Sequence, residues 1–517
     1  MVYFANRRKR REKANALHLP CRGVGIISGS IKAILQFCRP PRWAGRRRRA
    51  ALGAWAAALV AATAGENKYF RSDHGVAGPA AGALPADLNA PAALRWRVPL
   101  PPGHSSPIVS GGRIFLTTYT AADHELATVA LDEATGRQLW RRPIKVSQVE
   151  RTHSLGSPAT ATPACDGERV FAFFGSHGLL AYDLSGRPLW EFRAGPFQDE
   201  YGAASSPILA AGRVILNQDH DKDSFLLAVD AATGHVAWRV PRPDAVRSYS
   251  TPAVWQPAGG PELLVAGALE LAGYDPTNGA RKWWIGGLAR IVIPTPLPVG
   301  DTIYMASWAP GGDPGRRLGL DAWPVALQKW DANGDGKLTR AEIKDPEVLD
   351  RFFRIDVNQD GALDQAEWER HARYFSEARN SLLAIRPTGK GELPPDAVTW
   401  RHPRGSPYVA SPVALDGIVY MVKEGGIVTK LDSAKGDLLQ EERVPGIGNY
   451  FASPVAGDGK VYLANESGVL TVLAAQKSWQ VIGTREFHEK IYATPAFGAG
   501  TLFVRTEAAL YAFQTPP

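Results

Sequence analysis

Apolar residues along this chain fall in short runs of about four to six, each closed by Gly, Asn, Asp or Pro. The stretch "SSPILAAGRVILNQDHDKDSFLLAVDAATGHVAWRVP", from Ser205 to Pro241, shows the pattern in full. It predicts a strand, a glycine-containing turn, a second strand, a polar loop, a third strand, an Asp-x-x-Thr-Gly turn and a fourth strand carrying Trp238. Runs of this length between turn signals indicate β-strands rather than helices.

The unit recurs. A Ser/Thr-Pro step opens it at Ser106, Thr162, Ser206, Thr251, Thr295, Ser411, Ser453 and Thr494, with spacings of 56, 44, 45, 44, 116, 42 and 41. A period near 44 is that of a propeller blade. The turn and its tryptophan recur as Asp132/Gly136/Trp140, Asp183/Gly186/Trp190, Asp230/Gly234/Trp238 and Asp275/Gly279/Trp283. Later copies are worn: Thr388/Gly389 with Trp400, then Asp432/Gly436 without tryptophan. The glycine supplies a positive φ, and the tryptophans are expected to pack between blades. The last unit stops after three strands, while "LRWRVPL" around Trp96 supplies the missing fourth ahead of the first. The fold class is therefore mainly β: an eight-bladed β-propeller of four-stranded antiparallel blades, closed by one N-terminal strand.

The spacing of 116 holds roughly 72 extra residues once one repeat of about 44 is subtracted. Within them lie "DANGDGKLTRAE" and, 25 residues on, "DVNQDGALDQAE". A calcium loop takes oxygen ligands at positions 1, 3, 5, 7, 9 and 12, with glycine at 6. Asp331, Asn333, Asp335, the Lys337 carbonyl, Thr339 and Glu342 fill these places in the first loop. Asp356, Asn358, Asp360, the Ala362 carbonyl, Asp364 and Glu367 fill them in the second. Leu338 and Leu363, at position 8 of each, suit a short β-bridge between paired loops. Trp323, Leu327 and Trp330, then Val348, Leu349, Phe352, Phe353 and Ile355, then Trp368, Tyr374 and Phe375 mark amphipathic helices whose aromatics are assigned to a core. The insertion resembles a paired EF-hand, with two calcium ions expected as structural staples.

Strand alternation places the insertion after strand two of blade 5, on the face where the blade-to-blade connectors also open. That face gathers Asp123, His124, Glu125, His177, Asp219, His220, Asp221 and Asp223 from the loops, and His153, Arg247 and Arg290 from the connectors. A funnel site is therefore expected from His153, His177, Asp219, His220, Asp221, Arg247 and Arg290.

The net charge of +8 changes the picture only at the N-terminus. Residues 1–50 hold 14 Lys/Arg and one acid, a local +13, which leaves about −5 for the rest. Nucleic acid is not an expected partner. "RRRRAALGAWAAALVAATAGE" has the charged start, short apolar core and A-x-A end of a secretory signal peptide, which predicts a periplasmic or secreted protein. An uncleaved segment tethering the chain to a membrane is the alternative. Cys21 and Cys38 precede the cleavage point, so Cys165 stands alone after it.

The expected organisation is thus 1–64 basic segment and signal, 65–92 lead-in, 93–307 the first part of the propeller with closing strand 93–100, 308–380 the EF-hand pair, and 381–514 the remaining blades. Over 93–514, apart from the insertion, the units resemble the pyrroloquinoline-quinone (PQQ) dehydrogenase-type repeat, shared by quinoprotein alcohol dehydrogenases and BamB-like assembly factors. The resemblance implies either a binding or scaffolding protein with a protein or polymer partner, or a PQQ-dependent oxidoreductase of an alcohol or sugar. Typical quinoprotein alcohol dehydrogenases carry vicinal cysteines over the quinone and a calcium held by funnel carboxylates. This sequence has no vicinal cysteines and no C-x-x-C-H haem attachment, so the binding role is preferred and PQQ is not favoured.

Overall fold

The computed structural model describes residues 67–78, 81–199, 201–313 and 319–516; the signal-peptide reading and Cys21 and Cys38 lie outside them. Eight antiparallel four-stranded blades follow one another: 108–145, 164–192, 208–241, 253–286, 297–402, 413–443, 455–486 and 496–514. The eighth has three strands of its own and takes Leu94–Pro99 as its fourth, paired to Ala509–Gln514. Closing the ring this way completes the last blade with the first described strand of the chain and leaves only short blade edges.

The core lies between sheets. Buried clusters join each blade to the next, from Phe115 and Val170 across blades 1 and 2 to Leu116 and Phe503 across blades 1 and 8. The repeated turn explains why tryptophan and glycine recur together. Trp140 Nε1 donates to Leu184 O at 2.9 Å, Trp190 to Ala231 O at 3.2 Å and Trp238 to Pro276 O at 3.1 Å, each in the turn of the following blade. The indole lies over that turn's glycine. Gly186 has φ +82°, and a Cβ there would meet Trp140 Cδ2 at 2.7 Å. Blade 6 lacks the tryptophan, and Lys430 Nζ instead donates to Gln476 O and Ser478 O of blade 7. Trp283 also departs from the pattern. Its Nε1 donates to Glu262 Oε2 in its own blade, and Gly391–Glu392 of the long blade-5 loop pairs beside its strand.

The Ser/Thr-Pro steps form an inner ring. The amide of Ser106 donates to Thr162 Oγ1, Thr162 to Ser206 Oγ, Ser206 to Thr251 Oγ1, Thr295 to Ser411 Oγ, Ser411 to Ser453 Oγ, Ser453 to Thr494 Oγ1 and Thr494 back to Ser106 Oγ, all at 2.9–3.0 Å. A hydroxyl at this position thus satisfies an otherwise orphaned buried amide of the preceding blade. The lead-in crosses the underside. Lys68 O accepts from the Cys165 amide in blade 2, Arg71 donates to Pro412 O and Pro454 O in blades 6 and 7, and Val76 bridges to Ala456.

Between Thr302–Ser307 and Ser381–Ile385 of blade 5 the described residues form three helices, α1 (Trp323–Trp330), α2 (Pro346–Ile355) and α3 (Gln365–Glu377). Asp345 caps α2 by accepting from the Glu347 amide, and Asp364 and Glu367 form a capping box on α3. Trp323, Val348, Phe352, Ile355 and Trp368 form the module's core. Phe353 does not join it. It is 48% exposed, because α2 turns the next residue after Phe352 about 100° away from the buried face.

Candidate functional site

Leu338–Thr339 and Ala362–Leu363 pair antiparallel, with Leu338 opposite Leu363, so the two calcium loops are bridged at position 8. Asp331 Oδ2 accepts from the Gly336 amide at 3.0 Å, and Asp356 Oδ2 from the Gly361 amide at 3.0 Å. Glu342 Oε2 accepts from the Thr339 amide and hydroxyl, which holds its carboxyl below the usual range. Glu367 Oε1 accepts from the amides of Val357 and Asn358, while burial pushes its carboxyl up. Asn333, Asp335, Asn358 and Asp360 sit on the exposed rims, their side-chain oxygens accepting amides two residues on. Among the described residues no three His, Cys, Asp or Glu side chains converge as a ready metal cluster; the loop carboxylates face their own amides. The donor set suits calcium, with six oxygen positions per loop and a sharp turn at Gly336 (φ +76°) and Gly361 (φ +85°).

The module folds back onto the propeller. Gln198 Nε2 donates to Val357 O at 3.2 Å, Tyr374 Oη to Asp244 O at 3.0 Å, and Tyr374 and Phe375 bury against Ala268 and Leu269. The second calcium loop is therefore held against the blade 2–3 connector, and the first points outward.

At the propeller axis is a cup of about 380 Å³. All eight Ser/Thr of the inner ring line it, and Phe70 of the lead-in reaches it from below. Each is at least nine-tenths buried. Seven of the eight, all but Thr295, accept a ring amide through the hydroxyl oxygen. His104, His153, Tyr201, Tyr249, Tyr408, Phe451 and Tyr492 wall the mouth, with His104 stacked on Tyr492 at 4.1 Å between ring centroids. Among the described residues no Asp, Glu, Lys or Arg lines it. Burial, reinforced by Arg505 and Lys490, lowers His104 to about 4, so its imidazole is neutral at pH 7. Arg505, behind this wall, commits its Nη atoms to Ser105 and Thr117.

The seven residues expected over the funnel separate into groups. Only His153 lines the cup. Asp219 is locked to Arg242 at 2.7 and 3.0 Å in the interior. His220 Nδ1 meets Asp199 Oδ2 at 3.2 Å and stacks on Phe197. His177 lies outward beside Arg193. Asp221, Arg247 and Arg290 line a second cleft under the EF-hand module, where Arg247 pairs with Asp221. The split has a physical cause: the module covers the blade-3 loop, and its carboxylates find arginines there instead of facing the axis. The cup's lining comes from connectors and strand starts, and the Ser/Thr-Pro steps were the sequence signal for it.

The family model described as outer membrane protein assembly factor BamB matches residues 82–191 and 125–286, and an EF-hand model matches 325–345 and 349–370. A quinohemoprotein alcohol dehydrogenase, ADH IIB of Pseudomonas putida, is 28% identical over 115 residues, 22% of this chain and only 17% of that relative. Among solved structures, BamB from Moraxella catarrhalis superposes with a TM-score of 0.50 at 11% identity, covering 81% of this chain and 100% of that one. Quinohemoprotein alcohol dehydrogenase ADHIIG from Pseudomonas putida HK5 gives 0.54 at 13% identity, covering 89% and 82%. The chain is thus an eight-bladed propeller whose repeat is similar to those of BamB and the quinoprotein dehydrogenases. Its inserted helical pair carries EF-hand calcium-binding motifs.

Proposed function

We propose that the protein is an exported, calcium-loaded binding propeller whose long-loop face engages a protein or polymer partner. The observation that carries this reading is the uncharged cup. Its aromatic mouth and hydroxyl base suit an uncharged, acceptor-bearing segment of a partner. They do not favour PQQ, a tricarboxylate, because among the described residues no Arg or Lys lines the cup to pair with its buried carboxylates. The cysteine available, Cys165, is buried in blade 2 away from the cup lining. Similarity to BamB supports a scaffolding role, and the N-terminal segment supports export. Among the described residues no helix is long and apolar enough to cross a membrane. Asp331, Asn333, Asp335 and Glu342 of the first loop, and Asp356, Asn358, Asp360 and Glu367 of the second, would hold calcium, which would supply the positive charge that ties each loop's flanking helices together. The Glu367 loop would thereby hold the Val357 carbonyl where Gln198 reaches it.

The test is affinity capture from a bacterial envelope extract with the wild-type chain and with Ala204→Trp, which fills the cup mouth. A partner retained by the first and lost by the second supports the reading. Equal retention, or quinone-dependent dye reduction by the wild type, contradicts it.

A further inference from the structure

Under the EF-hand module lies a small, strongly basic cleft that the partner-binding role does not use. One wall is α2 and α3, with Arg351, Arg354 and His371; the other is the propeller connectors, with Arg247 and Arg290. Its volume is about 40 Å³, roughly three times the ~10–15 Å³ that one water needs on this measure. Two carboxylates line it. Asp221 is paired to Arg247, and Glu367 faces the amides of the second calcium loop.

Two polar atoms point to a ligand. His371 is 7% exposed, and its Nε2 has no hydrogen-bond partner. Arg351 Nη1 is buried without a hydrogen bond, its nearest carboxylate oxygen being Glu347 Oε2 at 3.9 Å. A buried donor left in this state has lost its water without gaining a partner, a heavier penalty when it is charged. The guanidiniums are held in place by packing. Arg290 and Arg351 lie over the Phe375 ring, at 5.3 and 5.4 Å from its centroid. Arg290 also anchors its Nε on Pro310 O at 3.1 Å. Stacking on one ring fixes the arginine planes at little further entropic cost. Burial and the surrounding arginines push His371 down to about 3, so at pH 7 it is neutral and has one ring N–H to offer.

We propose that this cleft binds a small tetrahedral oxyanion of the sulfate or phosphate class, clamped between Arg290 of the propeller and Arg351 and His371 of the EF-hand module. Fixed guanidiniums together with two unmatched buried nitrogens, Arg351 Nη1 and His371 Nε2, form the arrangement that such anions fit. The cleft is too small for a nucleotide or peptide. Because its two walls belong to different elements, a bound oxyanion would also fasten the calcium module to the propeller.

The experiment is calorimetric titration of the calcium-loaded chain with inorganic sulfate at constant ionic strength, since phosphate precipitates with calcium. The expected result is saturable binding of one sulfate per chain, weakened at least tenfold by Arg351→Gln and by Arg290→Gln, less by Arg351→Lys, and unchanged by Arg187→Gln at the exposed edge of blade 2. Each variant is checked for native circular dichroism and full calcium stoichiometry. Arg351→Lys keeps the test open if a glutamine variant misfolds. Sulfate heats no larger than those of chloride, or a sulfate affinity indifferent to Arg351→Gln and Arg351→Lys, would overturn the proposal.

Discussion

Replacing Gly186 by alanine probes the lock that joins the blades. Two costs arise there. The residue sits at φ +82°, where an L side chain costs about 1–2 kcal/mol. The new methyl would also lie 2.7 Å from Trp140 Cδ2 and 2.8 Å from Cγ. The indole cannot retreat without breaking its 2.9 Å bond to Leu184 O, so overpacking adds about 1–3 kcal/mol. Gly212→Ala is the matched control. Its φ is +71° with nothing within 4 Å of the new methyl, so only the backbone cost of about 1–2 kcal/mol applies. Urea unfolding followed by tryptophan fluorescence and by circular dichroism measures both variants. Gly186→Ala is expected to lower the midpoint distinctly more than Gly212→Ala. Equal shifts would refute the claim that the repeated Trp-Gly contact, rather than turn geometry alone, explains why the two residues recur together.

Three further outcomes are expected. Glu342→Gln and Glu367→Gln should each remove one calcium ion in native mass spectrometry and the double variant both; retention of two ions by either single variant would count against the assigned loops. Acidification should destabilise the protein between about pH 6.5 and pH 4. His74 and His104 are lowered to about 4, chiefly by burial, so the unfolded chain takes up protons that the folded chain refuses and stability falls with pH; a thermal midpoint that is flat or rises over that window would contradict this. Asp219→Asn should cost about 3–5 kcal/mol, because it strands the buried Arg242 guanidinium, and a loss below 1 kcal/mol on denaturation would show the pair to be dispensable.

The blades, their closure and the calcium loops were legible because each is written locally. A turn glycine, a tryptophan on the fourth strand after its Ser/Thr-Pro step and a twelve-residue loop all lie within one repeat. Partners far apart in sequence were not. The ring of hydroxyls joins residues 41 to 116 apart within the chain and Thr494 to Ser106 across the closure, so Ser/Thr-Pro read only as a strand start. The polar "NQDHDKD" loop suggested a funnel site because exposed loops usually stay exposed. Here the inserted helices cover it, and Asp219 and Asp221 serve buried arginines instead. The amphipathic pattern before the second loop assigns Phe353 to a core with the other helix aromatics, whereas the helical angle puts it on the solvent side.

The most direct test of a calcium-loaded binding propeller with an uncharged cup is native mass spectrometry of residues 65–517 prepared with calcium and PQQ together. The predicted spectrum shows two calcium ions and no quinone. A stoichiometric PQQ adduct would contradict it and make the chain an oxidoreductase candidate.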